Sequence, residues 1–108
     1  MQTTKGPIMG KIAKPDGLTP HGAAAKLYDE LHDLHERAGL PSTRELGRRL
    51  DLTATRVYNV MNGNPALPIR PHLLRIVGAL AQLALMTDVQ SEIERFDVLW
   101  KAARAELA

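Results

Sequence analysis

Cysteine is absent from the 108 residues. That excludes disulfides and cysteine-based zinc sites, and it fits a reducing cytoplasm. Serine occurs only at Ser42 and Ser91, and both read as helix caps rather than nucleophiles. No glycine-rich phosphate loop and no nucleophile motif is present, so the sequence gives no support for an enzyme and calls for no cofactor. Long apolar runs are also missing. The most apolar stretch, Leu73 to Met86, is interrupted by Arg75 and Gln82 and is too short to span a bilayer. Lys5, Lys11 and Lys14 near the start are not followed by the apolar run of a signal peptide. These absences predict a soluble, cytoplasmic protein with no membrane contact and no small-molecule ligand in evidence.

Charge is present in both signs but is sorted along the chain. The formal net charge is only +2. Residues 37–85 nevertheless carry seven arginines against Glu45 and Asp51, a balance of +5. Residues 20–36 set Lys26 against Asp29, Glu30, Asp33 and Glu36, and residues 86–108 are acidic by two charges. A basic block between acidic flanks favours a polyanion at one surface.

Residues 1–19 contain Gly6, Pro7, Gly10, Pro15 and Gly17 without apolar periodicity, which predicts a flexible basic arm. The remainder, 20–108, predicts one all-α domain, a compact bundle of about five helices. Helix 1 is expected from Pro20 or His21 to about Arg37, with Ala24, Leu27, Leu31, Leu34 and Ala38 as its buried stripe and Gly39 as its left-handed stop. Ser42 and Glu45 form the signature of a capping box at the start of helix 2. Asp51 ends that helix with positive φ, Thr53 caps helix 3, and Gly63, Asn64 and Pro65 stop it. Pro68 and Pro71 bracket the entry to helix 4. A fifth helix, about 90–106, aligns Ile93, Phe96, Trp100, Ala103 and Leu107, leaving Val98, Leu99 and Ala102 off the stripe.

Residues 43–62, TRELGRRLDLTATRVYNVMN, place Leu46, Leu50, Leu52, Val57 and Val60 so that two short helices share one core. Gly47 stands where a side chain larger than glycine or alanine would push the second helix away. On helix 3, at about 100° per residue, Val57, Val60 and Met61 share one face while Thr55, Asn59 and Asn62 fall on the opposite one. Arg56 and Tyr58 flank that outer face, and Ala54 begins the helix. Asn suits adenine, Arg suits guanine or phosphate, and the Thr methyl suits thymine, so Ala54, Thr55, Arg56, Tyr58 and Asn59 are the candidate base contacts.

The stretch AGLPSTRELGRRLDLTATRVYNVMNGNPALPIRPHLLRIVGAL, followed by FDVLWKAAR, resembles the Cro/cI-type (lambda-repressor-like, XRE-type) helix-turn-helix domains, in their short actinobacterial form. The resemblance covers about residues 24–104, with Asp51 where the family usually has glycine and Met61 where many members carry glutamate. It implies a domain that binds double-stranded DNA in the major groove, commonly as a dimer, with Ala54, Thr55 and Asn59 at the usual base-reading positions.

Phosphate contacts are expected from the edges of the motif. Thr43 begins helix 2, where free N–H groups attract an anion, and Arg44 and Arg48 lie four apart on an exposed face. Asn62, Asn64 and Arg70 follow helix 3, where the resemblance places backbone contacts. Arg49 has Glu45 four residues before it and reads as a surface ion pair. His32 and His35, near Asp29 and Glu36, have a spacing that invites a metal, but they read as part of an acidic solvated face, and no metal is assigned. The expected function is that of a small transcriptional regulator, with a possible homodimer through the C-terminal helix. The alternative is a protein-interaction module, an adaptor or antitoxin-like partner on the same fold.

Overall fold

A computed structural model describes residues 12–15, 17–19 and 21–108. Five helices account for most of these, α1 (Ala23–Arg37), α2 (Thr43–Leu50), α3 (Ala54–Asn62), α4 (Arg70–Leu83) and α5 (Val89–Leu107), and no strand occurs among the described residues. None of the helices is long and apolar enough to cross a membrane.

Local chemistry sets most of the helix ends. Ser42 Oγ accepts from Glu45 N at 3.0 Å to start α2, and Thr53 Oγ1 accepts from Arg56 N at 3.0 Å to start α3. Asp51 ends α2 in the left-handed region (φ 56°), and Gly63 ends α3 likewise (φ 77°). α5 is capped by Asp88, whose carboxylate accepts from both Ser91 N (2.9 Å) and Ser91 Oγ (2.7 Å). Ser91 is therefore the residue that bonds back to the cap, not the cap expected of it. α1 begins at Ala23, two or three residues later than the sequence pattern suggests.

α5 lies along both α1 and α4, α2 packs on α3 and more lightly on α4, and α3 leans on α1 and α4. Leu27, Tyr28, Leu31, Leu34, Leu46 and Val57 are wholly buried together with Leu73, Ile76, Leu80 and Phe96. Each such side chain contributes about 1.5–3 kcal/mol of burial free energy, which is what holds short helices like α2 in place.

The interior includes Tyr28 and two residues, Leu99 and His35, read from the sequence as peripheral. Tyr28 is fully buried, its hydroxyl donates to Ala66 O at 2.6 Å, and burial pushes its phenol up to about 12. Leu99 is also part of the core, so the apolar surface left on α5 is smaller than expected. His35 is buried, with Nε2 donating to Pro41 O at 2.8 Å, which ties the end of α1 to the following loop. His32 is half-buried, and its Nε2 donates to Met61 O at 2.7 Å. The two histidines are thus not a solvated face. Each bonds a backbone carbonyl outside α1.

Part of the N-terminal arm is held against this body. Ile12 is buried in the core, Lys14 pairs with Asp29 at 2.7 Å, and Ala13 O accepts from Asn62 Nδ2 at 2.9 Å. Lys5 and Lys11 lie outside the described residues.

Candidate nucleic-acid interface

α2 and α3 meet with almost no space between them. A Cβ added to Gly47 would lie 2.5 Å from Leu52 O, a backbone atom in the turn between the helices. The requirement at position 47 is therefore stricter than the sequence suggested, because even the alanine methyl meets a backbone atom. Leu52 N closes the turn on Gly47 O at 2.8 Å.

This packing fixes which side of α3 faces outward. Val57, Val60 and Met61 are buried, Thr55 and Arg56 are exposed, Tyr58 is 44% exposed, and Ala54 and Asn59 are partly exposed. The five residues expected to contact bases thus share the accessible side of one helix. On α2, Thr43 is partly exposed at the first position, and Arg44, Arg48 and Arg49 are exposed. The Glu45–Arg49 pair favoured by their spacing is not formed among the described residues.

The arginines divide sharply by location. Arg37 lies 3.8 Å from Asp33, Arg70 chelates Asp97, and Arg95 bridges Glu92 and Glu30. Arg75 donates to Leu50 O, and Arg104 stacks over the Trp100 ring. Among the described residues, Arg44, Arg48, Arg49 and Arg56 have no such partner, and all four stand on α2 and α3. Among the described arginines the unengaged guanidinium groups are thus confined to α2 and α3, while Lys26 on α1 is an exposed cation outside this pair.

Two of the expected phosphate contacts have other engagements. Arg70 Nε and Nη2 bond both oxygens of Asp97, at 2.6 and 2.9 Å. Arg70 foremost, with Lys101 at 3.4 Å, holds the Asp97 carboxyl down at about 2. Asn62 spends its amide on the arm. Asn64 is exposed beyond the end of α3.

Beside α3 lies a half-open cleft of about 240 Å³. Thr53, Thr55, Arg56 and Asn59 form its α3 side, and Asn64, Pro65, Pro68, Ile69 and His72 form the facing side. The facing loop is braced from behind, since Trp100 Nε1 donates to Pro68 O at 2.8 Å and Tyr28 holds Ala66 O. His72 Nδ1 is buried there without a hydrogen-bond partner. Sequence reasoning missed this cleft. Its local signal was the run of prolines before α4, but the two braces come from α1 and α5, far away in the chain. Compared with models of known protein families, with characterised proteins and with solved structures, the chain matches none.

Proposed function

We propose that the chain is a sequence-specific double-stranded DNA-binding protein, a small transcriptional regulator, in which α2 and α3 act as a lambda-repressor-like helix-turn-helix. The observation that carries this reading is the four arginines of α2 and α3 without internal partners, beside an outward α3 face of Thr55, Arg56, Tyr58 and Asn59. α3 enters the major groove, Asn59 and Thr55 read base edges, and Arg56 reaches guanine or phosphate. Thr43, Arg44, Arg48 and Asn64 hold the backbone, which sets the register of α3 without selecting sequence. Arg70 and Asn62 support the geometry from behind, through Asp97 and Ala13.

One recognition helix covers few base pairs, so two copies paired through α5 would extend the site. Val98 is 67% exposed there, with Ala102 exposed on the same helix. A monomer at tens of micromolar in sedimentation, with and without DNA, would remove the pairing from the account.

The reading is tested by two substitutions on a duplex obtained by selection. Asn59→Ala should weaken binding to the selected duplex by about 1–3 kcal/mol and leave random duplex nearly untouched. Arg44→Ala should weaken both alike and reduce the salt dependence by about one ion. Equal losses on both duplexes for Asn59→Ala would remove it from base reading.

A further inference from the structure

The two sides of the cleft beside α3 are chemically unlike. The α3 side carries hydroxyls, an amide and a guanidinium from Thr53, Thr55, Asn59 and Arg56, above the buried Val60. On the facing side, between Asn64 and His72, Pro65 and the buried Pro68 have no N–H, and Ile69 presents an apolar side chain that is 49% exposed. A phosphate needs N–H donors or positive charge, and neither proline nor the Ile69 side chain supplies one. The next cation, Arg70, is bound to Asp97. Pro65 and Ile69 instead offer an apolar surface, and the loop between them is tied down where Tyr28 and Trp100 donate to the carbonyls of Ala66 and Pro68.

In the major groove, the apolar group that base edges present is the C5-methyl of thymine. Resting on the DNA-binding reading above, we propose that the exposed Pro65 and Ile69 receive a pyrimidine C5-methyl when α3 lies in the groove. Ile69 is then a specificity-determining residue outside the recognition helix. Thymine and 5-methylcytosine carry the same methyl. Asn59, across the cleft from Ile69, favours adenine and so an A·T pair, which makes thymine the expected base. Removing one buried methyl should weaken binding about fourfold.

The experiment uses the full chain and a duplex obtained by selection. Each thymine is replaced singly by uracil, which deletes the methyl and keeps every hydrogen-bonding group. At one position or more, uracil should weaken the wild-type protein about three- to fivefold. Ile69→Ala should bind the thymine duplex that much more weakly and be indifferent to uracil at the same position. Ile69 is half exposed, so its truncation leaves the core intact, and an unchanged thermal midpoint checks this. At that position 5-methylcytosine should bind better than cytosine, and thymine better than 5-methylcytosine. Equal binding of thymine and 5-methylcytosine would keep the methyl contact and overturn the preference for thymine. Uracil that costs nothing at any position, or a uracil penalty undiminished in Ile69→Ala, overturns the methyl contact while leaving DNA binding intact. Equal binding to selected and random duplex overturns the sequence-specific reading, and this inference with it.

Discussion

Glu106, in the last turn of α5, caps α1 at Ala23: its Oε1 accepts from Ala23 N at 2.7 Å and its Oε2 from Ala24 N at 3.1 Å. The helix supplies no cap of its own, because its N-cap residue is Gly22 and its first turn contains no acid. The carboxylate satisfies two otherwise orphaned N–H groups and sits at the positive end of the helix dipole. A Cβ at position 22 would fall 2.4 Å from Glu106 Oε1 and 3.0 Å from Thr19 O, so a side chain there would displace the carboxylate from its cap. Glu106→Ala should cost about 1 kcal/mol in urea unfolding, and Glu106→Gln less. An unchanged midpoint for Glu106→Ala would mean that water caps α1 equally well.

Gly47 makes a sharper test of how α3 is positioned. In an open helix site, glycine to alanine gains about 1 kcal/mol from propensity. Here the new methyl meets Leu52 O at 2.5 Å, and a backbone oxygen in a closed turn cannot swing aside. Overpacking costs about 1–3 kcal/mol, so the contact outweighs the propensity. Gly47→Ala should be destabilising by about 1 kcal/mol net in chemical denaturation. A stabilised variant would contradict the close approach of the two helices.

His32 predicts a dependence on pH. Burial, foremost, lowers its pKa below the ordinary 6.5, against the bond to Met61 O, which raises it. Above 6.5 the imidazole is neutral in both folded and unfolded chains and contributes no pH dependence. Below 6.5 the unfolded chain takes up the proton more readily, so stability falls as the pH drops. The thermal midpoint should decrease between about pH 7 and pH 5, and His32→Gln, which keeps an N–H for Met61 O, should reduce that decrease. An identical pH profile for the variant would assign the loss to other groups.

What could be read from the sequence follows the range of the interactions involved. Ser42, Asp51, Thr53 and Gly63 act within four residues of themselves, and their roles as caps and stops were legible. The outward side of α3 was legible too, since helical periodicity alone places Val57, Val60 and Met61 inward. Contacts between distant segments left no comparable trace. Tyr28 reaching Ala66, Glu106 reaching Ala23 and Arg70 reaching Asp97 are separated by 38, 83 and 27 residues. Polarity also misled: His35 is buried because a nearby carbonyl, Pro41 O, needs a donor, and a hydropathy pattern does not register that need. Leu99 was set apart by assuming a narrow stripe on α5, whereas packing against two helices, α1 and α4, buries a wider arc.

The most direct test of the central proposal is a fluorescence-anisotropy titration of the protein against selected and random duplexes, repeated across a range of salt. The account predicts tight binding to the selected duplex, binding to random duplex weaker by about a thousandfold or more, and a steep loss of both as salt rises. Weak binding that never discriminates between the duplexes would contradict it and direct attention to a protein partner for the arginine face of α2 and α3.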